Sequence, residues 1–170
     1  MRIGVLSDTH GKLDSRIFDL FSGVSRIIHA GDVGAKEVLI DLQAIAPTTA
    51  VLGNIDYDVE LRELPLFADV SSGRIRIHVT HGHLQPEPAT RVRNILASQH
   101  GRPPDVLVIG HSHNPYLTLH DGVLVMNPGS ASRPRHGFPA SVGILTIQKS
   151  VVHGRILDLE GHDIPPGMKV

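Results

Sequence analysis

Apolar residues along this chain follow two rhythms. Short unbroken runs at 2–7 (RIGVLS), 26–30 (RIIHA) and 48–53 (TTAVLG) have the length and character of strands buried on both faces. Between them the apolar positions recur every three or four residues. Leu13, Ile17, Leu20, Phe21 and Val24 predict a helix over 12–24. Val38, Leu39, Leu42 and Ile45 predict another over 35–46, closed by Pro47. The order βαβαβ implies parallel strands joined by right-handed crossovers.

The second half is different. FADVSS (67–72) and RIRIHVTH (74–81), joined at Ser72-Gly73, read as two strands of a hairpin or meander. Val92, Ile95 and Leu96 predict a third helix over 88–99, broken by GRPP at 101–104 before the strand DVLVIG at 105–110. Only strands follow, at 116–120, 122–127, 140–147 and 151–159, with Asp121-Gly122 as a two-residue hairpin signal. The pattern predicts a mixed α/β (α+β) fold with two stacked mixed β-sheets flanked by helices. One domain is expected over 1–160, followed by a loose tail over 161–170.

Composition narrows the function. At 170 residues, 41% hydrophobic and a mean hydropathy of +0.02, the chain reads as one soluble globular domain. Its net charge is −1 and no basic block appears, which argues against an extended nucleic-acid surface. Cysteine is absent, which excludes disulfides, thiolate metal sites and a cysteine nucleophile. No apolar run is long enough to span a bilayer, so no membrane partner is expected. The opening MRIGVLSD resembles no secretion signal, and a cytoplasmic location is expected.

The candidate chemistry lies where the strands stop. Five apolar runs end in Ser7-Asp8-Thr9-His10-Gly11, Gly31-Asp32, Gly53-Asn54-Ile55-Asp56, His81-Gly82-His83 and Gly110-His111-Ser112-His113. Any one of these is unremarkable in a chain with 12 histidines, where capping aspartates and buried histidines are common. Five together are a pattern. The C-terminal ends of parallel strands share one sheet edge, where ligand sites of α/β folds collect. On extended chain, residues i and i+2 project to the same side, so Asp8 with His10, and His111 with His113, are expected to share a site. Carboxylate, amide carbonyl and imidazole suit borderline divalent cations such as Mn, Fe, Co, Ni or Zn. Seven such groups are too many for one ion and suit two ions with a shared carboxylate. His29, inside its strand, reads as a core or supporting histidine. His78, His100, His120, His153 and His162 read as core or surface residues, and His136 is left open.

These motifs, Asp8-x-His10, Gly31-Asp32, Gly53-Asn54-x-Asp56, His81-Gly82-His83 and Gly110-His111-x-His113, resemble the ordered signature of the calcineurin-like metallophosphoesterases. HGH and the later NPGS (127–130) resemble the small YfcE-type phosphodiesterases in particular. The resemblance implies a four-layer sandwich and a dinuclear centre. Asp8, His10 and His113 would hold one metal, Asn54, His81 and His111 the other, and Asp32 would bridge them. Mn²⁺ is the implied ion, and hydroxide between the metals the implied nucleophile.

The implied activity is hydrolysis of a small phosphodiester, with Asp32, Asn54 and His83 as candidate catalytic residues. Many phosphatases of the superfamily carry a histidine where this chain has Ile55, which makes His83 the nearest alternative acid and disfavours a phosphomonoesterase. Arg133 and Arg135 in NPGSASRPR are candidate substrate-phosphate contacts. A scaffold subunit of retromer shares the fold but, unlike this chain, departs at the bridging Asp and the Asn. A homodimer or larger assembly is expected of relatives of this type.

Overall fold

The computed structural model describes residues 1–85, 87, 90–99 and 101–165. Ten strands form two five-stranded sheets. Sheet A contains β1 (Arg2–Leu6), β2 (Arg26–His29), β3 (Thr48–Ala50), β9 (Ser141–Gln148) and β10 (Val151–Asp158), in the order β10-β9-β1-β2-β3. Its β1, β2 and β3 are parallel, and β9 is antiparallel to β1. Sheet B contains β4 (Phe67–Ser72), β5 (Ile75–Thr80), β6 (Val106–Val108), β7 (Tyr116–His120) and β8 (Val123–Asn127), in the order β4-β5-β6-β8-β7. Here β5, β6 and β8 are parallel, with antiparallel β4 and β7 at the edges.

The sheets stack through Ile3, Val5 and Ile28 on one side and Ile77, Val106 and Val108 on the other. The outer face of sheet A is covered by α1 (Arg16–Leu20) and α2 (Lys36–Ile45), which bury Ile17, Val38 and Leu42. Outside sheet B, α3 (Arg91–Ala97) packs Ile95 against Leu107, Val123 and Val125. Four layers result: helices, sheet, sheet, helix. This is the expected sandwich. Among the described residues no helix is long and apolar enough to cross a membrane.

Some boundaries differ from expectation. The helix expected over 12–24 is regular only over Arg16–Leu20. The Lys12 N–H turns back to the Thr9 carbonyl, and the Asp14 carboxylate takes the N–H of Arg16. The anticipated face nevertheless packs inward, with Ile17 and Phe21 fully buried. The strand β3 ends at Ala50, because the Leu52 N–H pairs with the Pro65 carbonyl. A 3-10 turn at Leu61–Glu63 buries Leu61 and was not apparent in the periodicity. The third helix is found as Arg91–Ala97, within the expected 88–99; residues 88 and 89 lie outside the described residues, as does His100. Part of the expected loose tail is tied down: the Ile164 N–H donates to the Ile156 carbonyl, and Arg155 pairs with Asp163. Residues 166–170 of that segment lie outside the described residues.

Candidate metal centre

Parallel pairing sends the C-terminal ends of β1, β2 and β3 to one edge of sheet A, while β5 and β6 deliver theirs from sheet B. The loops that follow meet there. They do not meet by alternation along extended chain, as the i and i+2 spacing implied. Asp8, His10, Asp32, His111 and His113 all have left-handed backbones, with φ of 55°, 47°, 54°, 68° and 59°. Residues with a Cβ enter this region at a cost of about 1–2 kcal/mol each. Five where the strand ends of the two sheets meet mark a site whose surroundings override local preference.

The restraints are visible. The N–H groups of Asp8 and His10 donate to the carbonyls of Gly31 and Asp32, both at 3.0 Å. From the other side, the hydroxyls of Ser130 and Ser132 donate to the carbonyls of Asp8 (2.7 Å) and Thr9 (2.6 Å). The buried Asp56 carboxylate accepts the N–H groups of Gly34 (2.8 Å) and Gly53 (2.7 Å), tying the loops after β2 and β3 together. Gly53 is obligatory for another reason: a Cβ there would lie 2.0 Å from the Asp32 nitrogen and 2.1 Å from its Oδ1.

Asp8, His10, Asp32 and His113 present ligand atoms that all lie within 4.8 Å of one another. This tetrad is able to hold a metal ion and is consistent with a dinuclear active site. Within it, His113 Nε2 lies 3.1 Å from Asp8 Oδ1 and 3.2 Å from His10 Nε2, and His10 Nε2 lies 4.0 Å from Asp32 Oδ2. The other oxygen of Asp32 faces elsewhere. His81 Nε2 lies 3.3 Å from Asp32 Oδ1 and 3.2 Å from Asn54 Oδ1. The His111 ring stands edge-on to that of His81, centroids 5.2 Å apart. The two oxygens of Asp32 are thus divided between two groups of side chains. The Ile55 N–H donates to Asp32 Oδ1 at 3.0 Å, so the position that lacks a histidine helps aim this carboxylate through its backbone.

Hydrogen bonding tests whether the residues fit a cation. The Nδ1 of His81 faces the Ala30 carbonyl at 2.7 Å, and the Nδ1 of His113 faces the Arg133 carbonyl at 2.6 Å. A carbonyl only accepts, so both Nδ1 atoms carry the proton. In a neutral ring each Nε2 is then a lone pair aimed at a carboxylate oxygen. Asp8 Oδ1 is shut off from solvent with no hydrogen-bond partner among the described residues. Acceptor facing acceptor is repulsive unless a positive charge lies between them. A backbone carbonyl on the second ring nitrogen is also how metal-binding histidines are usually oriented. The donor set fits divalent cations.

The pKa directions agree. Burial alone would lower His81 and His113, yet both are raised, His81 by Asp32 and Asp8, and His113 by Asp8. Asp32, against its own desolvation, is held down to about 2 by His81. Burial lowers His10, His111 and His83, which favours their neutral, lone-pair form. The cation-free chain therefore draws protons to two places, one on each side of Asp32. Below the centre, fully buried His29 is pushed down to about 3 by burial. The Thr9 hydroxyl donates to the Val33 carbonyl (2.9 Å), which leaves His29 Nε2 to donate to Thr9 (2.9 Å). His29 thus props the loop between Asp8 and His10.

The remaining candidates lie around this cluster. The His83 ring is 5.4 Å from His81 and 6.4 Å from His111, centroid to centroid. Arg133 and Arg135 are exposed at the rim; the charge of Arg133 adds slightly to the lowering of His10 by burial, and that of Arg135 opposes, without reversing, the raised value of His113. His136 is exposed. The sequence places Asp56 in the Gly53-Asn54-x-Asp56 motif without assigning its bracing role, and it does not single out the clamps Ser130 and Ser132. The only signal for the clamps was the density of serine and glycine in NPGSAS.

Residues 1–150 match the calcineurin-like phosphoesterase superfamily domain. A probable metallophosphoesterase of Methanothermobacter thermautotrophicus is 34% identical over 164 residues, covering 92% of each chain. The phosphodiesterase YfcE of Escherichia coli is 34% identical over 169 residues, covering 85% of this chain and 87% of its own. The solved structure of E. coli YfcE, a phosphoesterase, aligns with a TM-score of 0.74 over 97% of both chains. Vacuolar protein sorting 29 of Cryptosporidium parvum shares the fold, with a TM-score of 0.80 at 22% identity over 96% of this chain and 94% of that one.

Proposed function

The chain belongs to the calcineurin-like phosphoesterase superfamily, and on that premise we propose that it hydrolyses small phosphodiesters at a centre of two divalent cations. The observation that carries the reading is the division of Asp32, one oxygen towards His10 and the other towards His81. Asp8, His10 and His113 would hold one cation and Asn54, His81 and His111 the other, with Asp32 shared. Mn²⁺ is the proposed ion, and Fe, Co, Ni and Zn suit the same donors. Bound there, such a pair supplies Lewis-acid stabilisation of phosphoryl oxygens and lowers the pKa of water to near neutrality.

The chain's own groups do the rest. Buried carboxylates hold negative charge in place against desolvation, and carbonyl-anchored imidazoles keep their lone pairs on the centre. His83, held in its neutral form by burial, stands beside His81 and His111 and serves the leaving oxygen by donating a hydrogen bond from its ring N–H, a role Ile55 cannot fill. Arg133 and Arg135 at the rim take the non-bridging phosphate oxygens. Diesters with good leaving groups are the preferred substrates.

The test is hydrolysis of bis(p-nitrophenyl) phosphate by the purified chain with Mn²⁺, set against p-nitrophenyl phosphate. The diester should be cleaved faster and chelator should abolish the reaction. Full metal occupancy without turnover would contradict the reading and leave a metal-binding scaffold. His83→Ala should slow diesters with poor leaving groups more than those with p-nitrophenolate; equal rates would remove His83 from that role.

A further inference from the structure

The outer faces of the two sheets are covered unequally. Two helices lie across sheet A, whereas α3, seven residues long, packs on β6 and β8. Beside it, on β4 and β5, lies a cavity of about 530 Å³, within the range of small-molecule sites. Its β5 wall is Arg76, His78 and Thr80, alternate residues whose neighbours Ile75, Ile77 and Val79 face the core between the sheets. Leu66, Phe67 and Leu84, all well exposed, form apolar parts of its wall.

We propose that this cavity binds a small organic oxyanion, a carboxylate or phosphate on an apolar body, with Arg76 as its counter-charge. The Nε and Nη2 of Arg76 are shut off from solvent and have no hydrogen-bond partner among the described residues. Guanidinium nitrogens in that state are costly and are normally matched by an acid. The carboxylates at hand are committed elsewhere. Asp105 accepts the backbone N–H of Arg76 with one oxygen and the guanidinium of Arg102 with the other. Asp69, the carboxylate on the cavity wall, faces His78 Nδ1 at 3.0 Å, and Gln99 reaches the opposite ring nitrogen at 3.1 Å. His78 thus stands between two partners, and Arg76 keeps an unmatched fork suited to two oxygens of one anion. A ligand engages it when the long side chain turns its end into the cavity, while the apolar body rests on Phe67 and Leu84.

The test is amide chemical shifts of the full-length, zinc-loaded, ¹⁵N-labelled chain titrated with phenylacetate, phenylphosphonate and neutral phenylacetamide. One or both anions should shift Arg76–Thr80 and Ser98–Gln99 saturably, and the amide should not. The tighter of the two anions identifies the oxyanion class. Arg76→Gln should weaken anion binding about tenfold or more while leaving diester hydrolysis unchanged. Phe67→Ser alters an exposed residue and should weaken it severalfold, which keeps the test alive if Arg76→Gln does not fold. Shifts confined to the metal-centre loops, equal binding of phenylacetamide, or unchanged affinity in either variant would overturn the proposal.

Discussion

The two sheets bring different chemistry to the same edge. Sheet A contributes Asp8, His10, Asp32 and Asn54, and with them both carboxylates, buried almost completely. Sheet B contributes His81, His83, His111 and His113, imidazoles alone. Neither set is complete. His113 from the β6 loop closes the group around Asp8 and His10, and Asn54 from the β3 loop stands against His81. Each proposed cation position therefore straddles the two sheets. Charge comes from one wall and neutral nitrogen from the other, so occupancy and the docking of the sheets are thermodynamically linked.

The sharpest way to break this division is at the group that serves both sides. Asp32→Asn should lower Mn²⁺-dependent hydrolysis by more than about 100-fold, beyond the 10–100-fold typical of losing an outer partner. Its occupancy should fall at both positions together. Asn54→Ala should cost less and weaken chiefly one position, visible as biphasic metal binding by calorimetry. If both variants lose both ions equally, Asp32 has no special place.

Removing the cations tests the link between the walls. At metal concentrations about 100 times Kd, linkage supplies roughly 2.7 kcal/mol per ion, about 5.4 kcal/mol for the proposed pair, or a rise in Tm of about 10–20 °C for a chain of this size. A loaded chain that melts with the cation-free one would mean that the cations do not clamp the sheets. Gly53→Ala tests the wall itself, because the added methyl overlaps the Asp32 backbone. It should destabilise the fold by about 1–3 kcal/mol and impair hydrolysis, measured by denaturant unfolding and steady-state rate.

Much of this edge was legible because its signals are local. Each ligand candidate sits one to four residues beyond an apolar run, in a short segment that contains a glycine, and parallel pairing follows from βαβαβ. The supports were not legible, because they act across the chain. Ser130 and Ser132 clamp Asp8 and Thr9 from more than 120 residues away, and nothing in the local pattern assigns them. The left-handed backbones at Asp8, His10, Asp32, His111 and His113 defy the residue-type preference that a sequence reading applies. Helix α1 was overextended for a related reason: apolar spacing continues through residue 13, but Asp14 spends its carboxylate on the Arg16 N–H. In β5, Arg76, His78 and Thr80 alternate with Ile75, Ile77 and Val79, but the cavity that forms over this polar outer face depends on packing between distant segments, which local alternation does not reveal.

The smallest expected effect is a pH dependence that separates proton from cation. His81 and His113 have raised values in the cation-free fold, because Asp32 and Asp8 outweigh burial. Their protons stabilise that fold fully below the ordinary histidine value of about 6.5, and the stabilisation is lost as pH rises through the raised values. The proposed cations would take the same places once the protons leave. The difference in Tm between loaded and cation-free chain should therefore widen from about pH 6 to pH 8.5, followed by scanning calorimetry. A gap that narrows over that interval would mean that the two charges do not compete for the same positions.

The most direct measurement is a titration of Mn²⁺ into the metal-free chain, with binding and bis(p-nitrophenyl) phosphate hydrolysis followed together. The account predicts that turnover rises to its plateau only as the second ion per chain binds. A plateau at one ion, or two bound ions with no turnover, would contradict it.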